Sequence, residues 1–319
     1  MQYVWDDFIE NSNNGTIFHK QTLLNYHIDR KFQNFSLLFY QNKKLVCVLP
    51  AALIVKNKKT ILYSHPGASY GGLIYKKLSF QLSEKIIIAL EKYCINYSIS
   101  RCILKQTPMI YHKSYNASVD YILHLRGFWE SEHYISHYLS HTMGRNPLKY
   151  IQKRKQRYIK SDFLYNQDFT FSESNQLEQF YEILKQNKKK FNTVPTHSLK
   201  ELQYLLKNFK QTIKLFVSFY KQKIIGGLLL FFTTQNTCLI FYNVVEENAS
   251  NKNISLYQIY HCIEYCIKNS FNVVDFGVSN LPNEKNPLLP KLSLIKFKEQ
   301  FGCEGALRIV YEKNFINNE

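Results

Sequence analysis

Arginine, tryptophan and paired cysteines are scarce or absent in this sequence. Only seven of the 41 Lys+Arg residues are arginine, although the excess over 24 Asp+Glu gives a formal net charge of +17. Lysine makes poorer bidentate contacts to phosphates and base edges than arginine does. The positive charge therefore has two equally good explanations. One is a polyanionic partner, and the other is a general composition rich in Lys, Asn, Ile, Tyr and Phe, which is typical of an AT-rich genome. The seven cysteines form no Cys-x-x-Cys pair, which is typical of core residues in a reducing compartment.

Long apolar runs and several enzyme signatures are also missing. The longest runs, residues 45–55 and 224–232, fall short of the ~18 residues that a membrane-spanning helix needs. The segment MQYVWDDFIE at the N-terminus has no apolar signal core, so we expect a cytoplasmic protein without a transmembrane segment. The absence of GxxxxGKS/T, GxGxxG, HExxH and GxSxG argues against phosphoryl transfer, Rossmann redox chemistry, zinc proteolysis and serine hydrolysis.

The order of predicted elements repeats along the 319 residues. Strand hairpins are predicted at 36–55 and 213–232, and helices that run into strands at 82–106 and 255–276. YCINYSISRCI (93–103) and YCIKNSFNVVD (265–275) share Tyr, Cys, Ile and Ser at identical spacing, 172 positions apart. A period of more than half the chain indicates a duplicated domain. We predict two α/β domains, 1–140 and 141–319, each a mixed, mostly antiparallel sheet flanked by helices.

The second domain is expected to begin with a basic helix. Lys149, Lys153, Arg157 and Lys160 are spaced to form one cationic face of such a helix. That face is either a phosphate or polyanion contact, or the solvated side of a docking helix, which is the commoner arrangement for charge runs.

Histidines and cysteines four residues apart are a possible metal-binding pattern. A helix would place His133, His137 and His141 on one side, but one helix face does not close a tetrahedral site and no second ligand cluster follows. We therefore predict no metal site. Cys262 and Cys266 are expected on the buried side of the second long helix.

Two segments combine small and polar residues at strand ends. In YSHPGASYGGLIY (63–75), Gly71 and Gly72 permit positive φ or close approach to a ligand, and His65, Ser69 and Tyr70 supply polar groups. A plain turn with a glycine bulge explains this segment equally well.

The second segment closes a buried strand in the C-terminal half. After Asp275, Phe276 and Gly277, the polar residues Ser279 and Asn280 follow at the carboxyl end, where α/β sheets bind ligands. The short helix KFKEQFG (296–302) comes next.

Together these motifs resemble the Fem-type (FemAB-like) acyltransferases, which are tandem GNAT-fold proteins related to the enzymes that add amino acids to peptidoglycan precursors. The resemblance rests on the order of elements and on three motifs. These are S-x-P-x-x-x-Y-G-G at 64–72, DFG-x-S at 275–279 and F-K-x-x-F-G at 297–302. It spans nearly the whole chain and implies two GNAT-like domains.

The resemblance implies transfer of an acyl or aminoacyl group to an amine of a cell-envelope precursor, either a muropeptide or a nucleotide-linked sugar. It places Lys298, next to Phe297, near the reacting carbonyl, where a cation would stabilise the oxyanion. The alternative is a solvated helix lysine. Asp275 is the first candidate for the base that deprotonates the amine, and His65 the second. A structural hydrogen-bond role for Asp275 is at least as well supported.

No tightly bound cofactor and no DNA partner are implied. The donor would be aminoacyl-tRNA, acyl-CoA or acyl-carrier protein. CoA-dependent GNAT enzymes carry a Q/R-x-x-G-x-G/A loop, whereas EENASNKNISLYQ (246–258) has no glycine and carries Glu246 and Glu247, which argues against the standard CoA mode. Two alternatives are an N-acyltransferase that binds CoA or a carrier protein unconventionally, and a non-catalytic tRNA- or polyanion-binding protein. Peripheral attachment to the inner membrane surface stays open.

Overall fold

The computed structural model describes residues 2–27, 30–140, 146–164, 168–248, 253–281, 286 and 288–315. They form two compact units: unit 1 consists of residues 1–134 and 306–319, and unit 2 of residues 135–305. The sequence-based boundary at 140/141 assigned the whole remaining chain to the second domain. The structure differs because residues 306–319 belong to unit 1, through a strand pairing that is remote in sequence.

The chain contains runs of strands separated by helices. Up to residue 140 they are α1 (Gln2–Glu10), α2 (Gln21–Leu24), β1 (Gln33–Asn34), β2 (Leu37–Gln41), β3 (Lys44–Leu49), β4 (Ala52–Lys56), β5 (Lys59–Ser64), β6 (Ile74–Tyr75), α3 (Phe80–Asn96), β7 (Arg101–Lys105), α4 (Ser118–Leu125) and β8 (Trp129–Ser140). Beyond it they are α5 (Lys153–Tyr158), β9 (Phe169–Glu173), α6 (Leu177–Lys189), α7 (Leu199–Asn208), β10 (Ile213–Tyr220), β11 (Lys223–Phe232), β12 (Thr237–Val245), α8 (Ile254–Lys268), β13 (Val273–Val278), α9 (Leu292–Glu299) and β14 (Glu304–Asn314).

Unit 1 contains two sheets. One has the order β1-β4-β5-β7-β14 and the other β2-β3-β6. Strands β5 and β7 run parallel, and α3 lies between them in sequence. Ser79 caps α3 by accepting a hydrogen bond from the Leu82 N–H. The core of the unit is formed by the apolar face of α3, with Ile87, Leu90 and Cys94 fully buried.

Unit 2 contains one sheet in which residues 135–140 of β8 are followed in order by β13, β12, β11, β10 and β9. Strands β12 and β13 are parallel and are connected through α8, while the other pairs are antiparallel. Leu228, Leu230 and Ile263 lie in its buried core. The mixed sheet with flanking helices confirms the predicted α/β class.

The helix-to-strand part of the predicted repeat corresponds to equivalent parts of the two units. In each, a long helix leads into a strand that runs parallel to an earlier one, β7 in unit 1 and β13 in unit 2. The two predicted hairpins form but are not equivalent, because β2–β3 lies in the separate three-stranded sheet and β10–β11 lies in the sheet of β12 and β13. Both hairpins turn on two residues of positive φ, Asn42 with Lys43 and Lys221 with Gln222. Such turns match the twist of the strands that they join.

The basic segment differs from the single helix that was expected. It consists of a 3-10 turn (Pro147–Tyr150), helix α5 and a π-helical turn (Ile159–Leu164). Ile151 and Gln152 are extended, and the Gln152 N–H donates to the Gln300 carbonyl at 2.9 Å instead of continuing a helix. Lys149 therefore does not share a helix face with Lys153 and Arg157.

The histidine segment is also not helical. His133 and His137 lie in strand β8, and His141 lies outside the described residues. None of the described helices combines the length and apolar character needed to cross a membrane.

Candidate active site

The carboxyl end of β13 in unit 2 is irregular. The register with β8 pairs Asp275 with Tyr138 and then Val278 with Ser136, so a bulge lies between them. Gly277 adopts φ +73°, which favours glycine, and the Asp275 carboxylate accepts a hydrogen bond from its N–H at 2.7 Å. Asp275 is fully buried. Its carboxylate therefore acts as a hydrogen-bond acceptor that holds the strand end, which is the structural role expected from the sequence. The role of Asp275 as a base stays a prediction.

Lys298 of α9 reaches this bulge. Its side chain is only 3% exposed, and Nζ donates to the carbonyls of Gly277 at 2.7 Å and Val278 at 3.0 Å and to Ser279 Oγ at 2.9 Å. A buried ammonium needs such acceptors to offset its lost hydration. The alternative of a solvated helix lysine is wrong, because the bulge carbonyls hold this side chain out of water.

Ser279 connects Lys298 to His137, a residue that sequence reasoning had considered only as a metal ligand. The Nδ1 atom of His137 lies 2.9 Å from Ser279 Oγ. Since an ammonium only donates, Ser279 Oγ accepts from Lys298, and the same oxygen shares a second hydrogen bond with the His137 ring. Burial, with the charge of Lys298, lowers the pKa of His137. The only sequence signal was its position four residues after His133.

The other residues predicted at this strand end make ring contacts or hydrogen bonds within unit 2. Phe276 and Phe297 both contact Phe301, with ring centroids 5.7 and 5.2 Å apart. Asn280 accepts a hydrogen bond from the Ile135 N–H and donates one to the Leu288 carbonyl. The structure therefore brings together Asp275, Phe276, Gly277, Ser279, Asn280, Phe297 and Lys298.

The parallel pair β12–β13 separates at the same end. Its register pairs only Thr237–Leu239 with residues 273–275, whereas β12 continues to Val245 and β13 turns through the bulge. Beyond Leu239, the edge of β12 that faces β13 therefore has no ladder with β13. An extended acyl chain can pair with strand edges of this kind.

The predicted glycine segment lies in unit 1. Its glycines pack closely against other backbone of the same chain. A Cβ on Gly71 would lie 2.7 Å from the Ser64 backbone, and the Gly71 N–H donates to the Lys105 carbonyl. Gly72 has φ +77°, and its N–H donates to Ser64 Oγ at 2.8 Å. This geometry fits a tight glycine turn packed against β5 and β7.

The side chains of this segment are mostly buried. Tyr70 is 1% exposed and packs between Phe18 and Tyr111, with the Arg308 guanidinium 5.5 Å from its ring centroid. Ser69 is partly exposed.

His65 is buried and chemically neutral at ordinary pH. Its Nδ1 accepts a hydrogen bond from the Gly67 N–H at 3.2 Å. Burial, with the nearby His27, lowers the pKa of His65 to about 4. Its assignments as substrate ligand and second candidate base stay predictions.

The basic residues at the start of unit 2 face solvent. Lys149, Lys153 and Arg157 are exposed, while Ile151 and Ile159 are buried. This fits a docking segment with a solvated side, and contact with phosphate stays a prediction.

One group of side chains in the described part of the chain is close enough to hold a metal ion, namely Cys238, Cys262 and Cys266. All three are fully buried in the core of unit 2, as expected for the two cysteines of α8. Burial raises the pKa of Cys238 and Cys266, whereas hydrogen bonds with these two thiols lower the pKa of Cys262 to about 5. We assign them to core packing.

Solved structures of similar fold agree with this arrangement. The structure of FemX superposes over 100% of this chain and 96% of FemX, with TM-score 0.76 and 10% identity. The chain has a Fem-type tandem GNAT fold. A tandem GNAT protein of clavulanic acid biosynthesis matches with TM-score 0.52 and 8% identity over 89% of this chain and 83% of its own.

L-PGS from Bacillus licheniformis is similar over 100% of this chain and 93% of its own, with TM-score 0.56 and 11% identity. No protein-family model and no curated protein matches this sequence. At these identities the likeness establishes the Fem-type fold alone, so chemistry must be argued from the site.

Proposed function

We propose that the protein is an acyltransferase that moves an acyl or aminoacyl group onto an amine of a cell-envelope precursor, a muropeptide or a nucleotide-linked sugar. The observation that carries the proposal is the buried Lys298 ammonium at the end of β13. The Fem-type fold supports it, because this lysine lies in the F-K-x-x-F-G motif that resembles those transferases.

The charge of Lys298 suits the step that forms the tetrahedral intermediate. When an amine attacks an acyl carbonyl, negative charge develops on the carbonyl oxygen only as the new C–N bond forms. A fixed cation in a desolvated place stabilises that charge more strongly than a hydrated one does. One Lys298 N–H can exchange from Ser279 Oγ to the oxyanion, because the hydroxyl keeps its hydrogen bond with His137.

We place the acyl donor beside the unpaired edge of β12, where its ladder with β13 stops at Leu239 and Asp275. Asp275 is our first candidate for the base that takes the amine proton. Glu246 and Glu247, which follow β12, form ion pairs with Lys223 at 2.7 Å and Lys190 at 3.2 Å. A glycine-free, acidic loop there favours a donor other than CoA in its standard mode, such as aminoacyl-tRNA.

A second candidate function is non-catalytic binding of tRNA or another polyanion. The exposed Lys149, Lys153 and Arg157 favour it, because exposed basic side chains attract phosphates at long range.

Turnover by Lys298 variants tests the proposal. The protein is incubated with aminoacyl-tRNA, acetyl-CoA or acyl-carrier protein, each with a muropeptide or an amino-sugar nucleotide. We expect one donor to be consumed and Lys298→Met to lower kcat roughly 10²- to 10³-fold, the loss typical of removing an oxyanion contact. Exposed Lys296 on the same helix gives the control Lys296→Met, which should retain turnover.

Equal kcat for wild type and Lys298→Met would remove this lysine from the mechanism. Thermal unfolding of both variants separates a folding defect from a catalytic one. Bound tRNA with no product from any donor would support the polyanion-binding alternative instead.

A further inference from the structure

Five large apolar side chains are exposed together on unit 2. They lie in the turn after α6 and in the segment that leads into α9, and we call them the apolar patch: Phe191 (52% exposed), Val194 (82%), Leu288 (39%), Leu289 (43%) and Leu292 (63%). The two segments are in contact, because Lys291 Nζ lies 4.0 Å from the centroid of the Phe191 ring. Contiguous exposed apolar groups mark an interaction surface more often than scattered ones do.

Lysines surround the apolar patch. Lys189 and Lys190 end α6, Lys291 lies between the two segments, and Lys296 is exposed one turn beyond Leu292. Glu247 pairs with Lys190 and offsets part of this charge. Apolar side chains that project among lysines match the boundary of an anionic bilayer, since the side chains enter the acyl region while the ammonium groups meet phosphates.

We propose that the apolar patch and its lysines dock the protein on the surface of an anionic phospholipid membrane. A nucleic acid fits this surface less well, because four of the five side chains are aliphatic and offer no stacking platform for bases, and the one aromatic ring, Phe191, already contacts Lys291. The proposal is independent of the proposed chemistry and concerns where the protein acts.

Docking would bring the candidate active site to the membrane. The Lys291 N–H donates to the Ser279 carbonyl at 2.8 Å, and the Leu281 N–H donates to the Leu289 carbonyl at 2.8 Å. The segment that carries three of the five apolar side chains is thus tied to the residues that contact Lys298. A substrate anchored in the bilayer would then be presented beside the end of β13.

Co-flotation with vesicles tests the docking surface. The full chain is mixed with vesicles of phosphatidylcholine alone or of phosphatidylcholine with phosphatidylglycerol. We expect binding to the anionic vesicles and a roughly tenfold or greater loss in the partition coefficient for Leu289→Ser with Leu292→Ser. The matched control is Val55→Ser with Ile95→Ser, which removes apolar groups of unit 1 that are 71% and 60% exposed and should bind as wild type does.

The lysines are tested separately. Lys189→Gln with Lys190→Gln should weaken binding roughly fivefold per lysine, whereas Lys207→Gln with Lys210→Gln, exposed elsewhere on unit 2, should have little effect. Equal losses from both lysine pairs, or unchanged binding by the leucine variant, would overturn the proposal. Binding to tRNA but not to anionic vesicles would overturn it as well and assign the charge to a nucleic acid.

Discussion

Individual polar residues in this protein are buried with defined partners, and their contacts limit their chemistry. Lys298, Ser279 and His137 form one chain of hydrogen bonds in unit 2. In unit 1, His19 is fully buried, and its Nδ1 accepts a hydrogen bond from the Thr16 N–H at 2.8 Å. Burial lowers the pKa of His19 to about 3. The surroundings of such groups hold them in one protonation state. The free energy of unfolding therefore depends on pH.

We predict that acid destabilises the protein through His19 and His65. Their folded pKa values, about 3 and about 4, lie below the ordinary value of 6.5, so below pH ~6.5 the unfolded chain binds more protons. The free energy of unfolding should therefore fall by roughly 1.4 kcal/mol per pH unit for each histidine, from pH ~6.5 down to the folded pKa. Urea unfolding at several pH values measures this slope. The variant His19→Asn should show a shallower slope, and identical slopes would contradict the assignment.

At the scale of elements, two glycines are required for different reasons, one for its backbone conformation and one for lack of space. Gly277 lies in the β13 bulge with φ +73°, and a Cβ there would meet nothing within 4 Å. Gly71 has an ordinary φ, but its Cβ would meet the Ser64 backbone at 2.7 Å. The two positions therefore require glycine for different reasons.

We predict that Gly277→Ala lowers the free energy of unfolding by about 1–2 kcal/mol, the strain of a left-handed conformation. Gly71→Ala should cost more, because two packed backbone segments have to separate. Chemical denaturation of both variants beside wild type measures the difference. An equal or smaller loss at Gly71 would contradict the close packing of the turn against β5.

The elements also show how far sequence patterns reach. The helix-to-strand repeats at 93–103 and 265–275 predicted α3–β7 and α8–β13, because local periodicity survives in these core elements. The spacing around Lys149 and Arg157 predicted one helix and was wrong, because a backbone bond from Gln152 to the distant Gln300 interrupts it. The link of His137 to Ser279 spans 142 positions, a distance that no local pattern reports.

At the scale of the whole molecule, unit 1 is built from two separated parts of the chain. Residues 310–314 of β14 pair with β7, where Val310 lies opposite Lys105 and Tyr311 opposite Leu104. Both Val310 and Tyr311 are buried, and Lys313 donates to the Glu91 carboxylate at 2.6 Å. The sequence boundary at 140/141 missed this because strand pairing over some two hundred residues leaves no local pattern.

We predict that a chain ending at Gly305 loses the structure of unit 1. Removing β14 exposes the β7 edge and takes the buried side chains of Val310 and Tyr311, among others, from unit 1. Hydrogen exchange should show lost protection across residues 37–105 while β10, β11 and β12 stay protected. A chain ending at Phe315 is the matched control and should resemble wild type. Retained protection of β7 in the shorter chain would contradict a structural role for β14.

The two-part composition of unit 1 also has a consequence during synthesis on the ribosome. Unit 2 is continuous in sequence, so it can fold once residue 305 has left the exit tunnel. The sheet that the first 134 residues begin lacks β14 until residues 306–314 have been made. We therefore expect unit 1 to complete its sheet only after the whole of unit 2 has been synthesised.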